Sequence, residues 1–103
     1  MSVREPINLS ESDIENLTKA FQILSGPSRP RIIEILAQDE NITVSGIAKG
    51  VNLSISSVSH QLSKLKERGF VGAKKIGRKA IYRIEDECIQ AILRRATPHV
   101  RYQ

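Results

Sequence analysis

Between Ile42 and Ile84 the chain reads as one succession of elements: a short helix, a tight turn, a longer helix and a hairpin. Thr43 is a hydroxyl N-cap ahead of a helix over Val44–Lys49, and Gly50 is the residue expected to end it. Val51-Asn52-Leu53 makes the turn. Ser54 caps the next helix, drawn from NLSISSVSHQLSKLKERGF, and Gly69 supplies its C′ residue. Phe70–Ile76 and Lys79–Ile84 then alternate as two strands around Gly77-Arg78, where glycine permits the reversal.

The flanks are helical too. Met1–Leu9 reads as a flexible arm. Ser10 and Asp13 have capping-box spacing, and Ile14, Leu17, Ala20, Phe21 and Leu24 recur at helical intervals, predicting a first helix over Glu11–Leu24. Ser25-Gly26-Pro27 breaks it. A second helix reaches Gln38 with Ile32, Ile33, Ile35 and Leu36 on its buried side; Pro30 is tolerated in its first turn, where no N–H partner is lost. Asp39-Glu40-Asn41 is a loop, and Ile42 can add one strand residue. Asp86–Ala96 forms a last helix with Ile89, Ile92 and Leu93 apolar. The expected fold is mainly α with a small β-hairpin, in the order ααααββα. A length of 103 residues predicts a single domain over 1–103. With four aromatic residues and no Trp its core is aliphatic and modest, and dimerisation is a common way for so small a chain to bury more apolar area.

A helical wheel over Ser54–Arg68 separates two faces. Ile55, Val58, Leu62 and Leu65 fall on the core side; Ser56, Ser57, His60, Gln61 and Lys64 cluster opposite, with Ser59 at the edge. A merely solvated face would more usually carry Glu and Lys. Small hydroxyls let a helix approach base edges, Gln can bond adenine through two hydrogen bonds, and His60 can donate to a base or a phosphate. The hairpin adds Lys74, Lys75, Arg78 and Lys79, with Arg78 at its tip suited to a minor groove or to phosphates. Taken alone, those lysines could simply protect an exposed sheet edge. Beside this helix they favour DNA.

Charge distribution agrees. The net charge is +5, and Lys64, Lys66, Arg68, Lys74, Lys75, Arg78, Lys79 and Arg83 crowd one stretch while Glu5, Glu11, Asp13, Glu15, Asp39 and Glu40 lie upstream. That segregation favours a polyanion-facing side. No apolar run approaches a membrane span, and the N-terminus has no signal-peptide core, so the cytoplasm is expected. The single Cys88 excludes an intrachain disulfide and a cysteine-based zinc knuckle, and fits a reducing compartment.

In the order GPSRPRIIEIL, ITVSGIAKGVNLSISSVSHQLSKLKERGFV, KKIGRKAIYRI and a closing helix, the chain resembles the arsenic-repressor (ArsR/SmtB) winged helix-turn-helix regulators over about Phe21–His99. The most specific element is SISSVSHQLSKLKERGFV with the Tyr82-containing second wing strand. The resemblance implies a homodimeric repressor that leaves its operator when an inducer binds. It also implies dimerisation through the first and last helices and a palindromic operator, with the two reading helices in successive major grooves.

The resemblance also frames the inducer. One metal site of the family uses cysteines at the start of the third helix; ENITVSGIA has none, so that site is absent. The other lies on the last helix and is completed across the dimer, and its positions correspond here to Asp86, Cys88, His99 and Tyr102. Cys88 and His99 are close to three helical turns apart and share a face on an unbroken helix. Asp86, Cys88 and His99 form a zinc-type set, with the thiolate favouring softer metals. Tyr102 is a poor zinc ligand, and Pro98 is expected to kink or end the helix near Thr97, displacing His99. Other readings make Asp86 the helix N-cap, Cys88 a small buried hydrophobe and His99 a surface residue.

An enzyme is the rival class, and little supports it. Ser59 and His60 are adjacent, so on a helix their side chains diverge, and no glycine-rich phosphate loop, HExxH or CxxC motif occurs. A winged-helix module that docks a partner protein through the same reading helix is the closer alternative. Salt dependence separates it from DNA binding.

Overall fold

The computed structural model describes residues 6–39 and 41–101. Residues 1–5 of the expected arm, and Tyr102, lie outside the described residues; residues 6–10 are exposed and irregular. The elements are α1 (Glu11–Leu24), α2 (Ser28–Gln38), β1 (Ile42–Thr43), α3 (Val44–Val51), α4 (Ile55–Glu67), β2 (Val71–Ile76), β3 (Lys79–Ile84) and α5 (Glu87–Arg101).

Hydroxyl side chains cap the starts of three helices. In α1 the Ser10 hydroxyl accepts the Asp13 N–H at 3.1 Å while the Ser10 N–H donates to the Asp13 carboxylate at 3.0 Å. Those bonds, the one from the Ser10 backbone first, hold the Asp13 carboxyl below its ordinary pKa. Thr43 caps α3 by accepting the Gly46 N–H, and Ser54 caps α4 by accepting the Ser57 N–H.

The core is aliphatic, as expected. Ile32, Ile33 and Leu36 of α2 meet Ile47 and Ala48 of α3 and Val58, Leu62 and Leu65 of α4, and Val71 and Ile89 close the cluster. Ile35 is only half-buried and lies beside α3. Gly50 does not end α3; it lies inside the helix, where an added Cβ would strike the end of the Ile35 side chain. The left-handed stop falls instead on Asn52, with φ 58° and ψ 49°. Gly50 is therefore a site of close helix approach, and glycine's two uses explain the displaced boundary.

The hairpin is part of a three-stranded antiparallel sheet of order β1-β3-β2. Ile42 pairs with Tyr82 and Thr43 with Ile81, which ties β3 to the residues that open α3. Ile76 pairs with Lys79, leaving Gly77 and Arg78 as a two-residue turn with positive φ only at Gly77, the arrangement of a type II′ hairpin.

α1 and α5 flank the core. α1 has no buried residue and packs mainly against α2. The Cα radius of gyration is 15.3 Å, against about 13 Å for a compact domain of this size. α5 runs through Pro98 to Arg101 rather than ending near Ala96. Proline so near a helix end removes one hydrogen bond, and Arg94, whose carbonyl loses that partner, is exposed. Thr97 donates its hydroxyl to the Leu93 carbonyl at 2.6 Å. Among the described residues no helix is long and apolar enough to cross a membrane.

Candidate nucleic-acid interface

The α3–α4 corner is built by its turn. The Asn52 N–H reaches the Ala48 and Lys49 carbonyls and the Leu53 N–H donates to the Ala48 carbonyl at 3.0 Å, satisfying the end of α3 before Ser54 starts α4. Val58, Leu62 and Leu65 then anchor α4 in the core, which fixes the rotation of its outer face.

Ser56 and His60 are exposed on that face, and Lys64 is half-buried with no acid at ion-pair distance among the described residues. Ser54 is exposed, but its hydroxyl is already engaged as the cap. Ser57 and Gln61 differ from the expectation. Both are half-buried, and the Gln61 side-chain amide donates to the Ser57 hydroxyl at 3.2 Å. One turn of helix separates them, so the two polar groups satisfy each other along the face.

Ile55 is the clear correction. The wheel assigns it to the core, yet it is 54% exposed. It is the first residue of α4, whose buried residues begin only at Val58, and the wheel carries no information about where packing begins. Its side chain instead lines a groove of about 340 Å³ with Ser59, the α3 start at Thr43, Val44 and Ser45, and the wing residues Arg78, Lys79 and Ala80. Ser45 and Ile55 are absent from the expected reading face; their exposure depends on tertiary contacts.

On the wing, Lys74, Lys75, Arg78 and Lys79 are all exposed, and none forms an ion pair among the described residues. Arg83, from the same basic stretch, is neutralised by Glu85 at 3.2 Å. Arg78 and Lys79 of the wing thus face Ile55 and Ser59 of α4 across one groove, and β1 joins the wing to the start of α3.

At the other end of the molecule, the Asp86 carboxylate accepts the Cys88 N–H at 2.9 Å and so caps α5. Cys88 is exposed and not a buried hydrophobe. Because α5 is unbroken, Cys88 and His99 line one shallow groove with Ala91, Ile92, Arg95 and Ala96. Among the described residues of one chain, no three His, Cys, Asp or Glu side chains come together as a metal-binding group.

The fold and this interface define a winged helix-turn-helix regulator that meets duplex DNA. Residues 26–72 match the family described as bacterial regulatory protein, arsR family. The chain is 29% identical over 97 residues to a transcriptional repressor SmtB homolog of Synechocystis, spanning 94% of this chain and 73% of that protein. To the cadmium resistance transcriptional regulatory protein CadC of Listeria innocua it is 30% identical over 83 residues, spanning 81% and 70%. The crystal structure of Rv0081 from Mycobacterium tuberculosis superposes with a TM-score of 0.80 at 30% identity, covering 90% of this chain and 93% of that one. The chain belongs to the ArsR family. It is a DNA-binding transcriptional regulator and not an enzyme.

Proposed function

We propose that this chain is a homodimeric repressor acting in the cytoplasm, which holds a palindromic operator with one α4 in each of two successive major grooves. The observation that carries this reading is the exposed α4 face beside a wing whose four cations are exposed and unpaired among the described residues, two of them, Arg78 and Lys79, lining a groove with the first turn of α4. Ser56, His60 and Lys64 meet base edges and nearby phosphates, with Ser57 and Gln61 acting as a coupled pair: one Gln61 amide N–H is held by Ser57, which leaves the other N–H and the carbonyl oxygen for adenine. Ser54 holds the start of α4 against the backbone. Lys74, Lys75, Arg78 and Lys79 bind phosphates, Arg78 from the tip.

Dimerisation uses α1 and α5. Support comes from Ile14, Leu17 and Phe21, which are 49%, 40% and 55% exposed on one side of α1, and from Ile92 and Val100 on α5. Such a surface on so small a chain fits a second copy.

The inducer in this reading is a divalent transition metal held between two α5 helices by Asp86 and Cys88 of one chain and His99 of the other. The common open face of Cys88 and His99 favours it. In this reading the second chain completes the set, since the described residues of one chain bring no three such donors together. Asp86 retains one carboxylate oxygen outside its cap, and Arg95 in the same groove is a cation the site must turn aside. Bound there, the metal would supply a cross-link between the two α5 helices.

The test is a DNA-binding titration at several salt concentrations, using duplexes selected from random sequence by the purified protein. Wild type is expected to bind the selected duplex with a steep salt dependence. His60→Ala loses about 1 kcal/mol or more of discrimination against random DNA. Arg78→Ala weakens binding to every duplex and lowers the salt slope by about 1. Salt-independent binding, or unchanged discrimination in His60→Ala, would remove α4 as the reader and favour a protein-docking module.

A further inference from the structure

The groove between α4 and the wing holds an apolar side chain that the fold does not use. Ile55 is 54% exposed and does not belong to the core or to the half-buried residues packed on it. It nevertheless opens a helix whose outer face is otherwise hydroxyl, imidazole, amide and ammonium, with Ser56 beside it and Ser59 one turn further on. Leaving a branched aliphatic group in water forgoes the stability that burial would bring. Its position is informative. The N-terminal residues of a reading helix are the ones that reach base edges, and Ile55 is the first of them. Arg78 and Lys79 line the same groove and bring cations to its opposite wall.

In the major groove the one apolar group a base pair displays is the thymine 5-methyl, and small aliphatic side chains read it by contact. We propose that Ile55 is a specificity-determining residue that selects thymine at one position of each half-site by covering its 5-methyl group. The inference rests on the assignment of α4 to the major groove. Ser59, small and exposed on the same groove, leaves room for the base edge beside Ile55.

Deoxyuridine lacks only that methyl, so it tests the contact without altering base pairing. Each thymine of a duplex selected by the wild-type protein is replaced in turn, and binding is measured for wild type, Ile55→Ala and Ile55→Val. One thymine per half-site is expected to weaken wild-type binding about fourfold when replaced, the worth of one buried carbon. Ile55→Ala is expected to ignore that replacement, and Ile55→Val to keep part of the response. Because Ile55 packs outside the core, the variants are expected to keep wild-type circular dichroism. If no replacement matters to wild type, or if the same replacement weakens Ile55→Ala equally, the inference is overturned. If wild type selects no preferred sequence at all, the assignment of α4 itself falls, and that outcome is distinct from the other two.

Discussion

Asn52 carries the corner of the helix-turn-helix on an unusual backbone. Its φ of 58° lies in the left-handed region, which β-carbons disfavour and which Asn tolerates better than most residues. Its N–H must turn back to the Ala48 and Lys49 carbonyls while the chain sets off toward Ser54, and only this conformation does both. Asn52→Gly is therefore expected to leave stability unchanged or slightly raised, and Asn52→Val to lower it by about 1–2 kcal/mol. Urea unfolding of the two variants measures the difference; equal midpoints would show that the turn adopts another backbone in solution. Residues of this kind also mark what the sequence could tell. Asn52 was legible as part of a turn, but Gly50 looked the better stop because glycine serves both as a cap and as a place for close approach. Ser57 and Gln61 were legible as polar, yet their bond to each other depends on rotamers that no wheel contains.

At the scale of elements, the helices and the wing could be read because their signals are local. Capping hydroxyls at Ser10, Thr43 and Ser54, the period of the apolar residues, and Gly69 and Gly77 at reversals each act within a few residues. The pairing of β1 with β3 could not be read in full, since Ile42 and Tyr82 are far apart in sequence and two residues hold too little pattern. The end of α5 was obscured by Pro98, whose cost is small where the exposed end of the helix meets solvent. That continuity matters for the proposed inducer site, because it keeps Cys88 and His99 on one face. Zinc or cadmium is therefore expected to weaken operator binding by wild type about tenfold, within the usual range of coupling between sites. Cys88→Ala is expected to lose the response and to bind less metal in a titration of the free protein. An equal response of wild type and Cys88→Ala would move the inducer site off α5.

The molecule is elongated, 48 Å by 33 Å by 22 Å, and α1 leaves Ile14, Leu17 and Phe21 uncovered. The ten core residues of the winged-helix head all lie outside α1, whose last turn packs Ile23 and Leu24 against them while Ile14, Leu17 and Phe21 stay exposed. Stability of that head and completion of the assembly are thus separable. A charge placed on α1 is expected to abolish dimerisation while sparing the core: Leu17→Glu with Phe21→Glu replaces side chains that are 40% and 55% exposed. Sedimentation equilibrium is expected to report a monomer with helical content close to wild type. Operator affinity then falls about a hundredfold or more, because the second half-site no longer benefits from a tethered partner. Binding to a single half-site is expected to be unchanged, since α4 and the wing are untouched. A variant that stays dimeric and keeps full operator affinity would take α1 out of the interface and leave α5 alone to join the two chains.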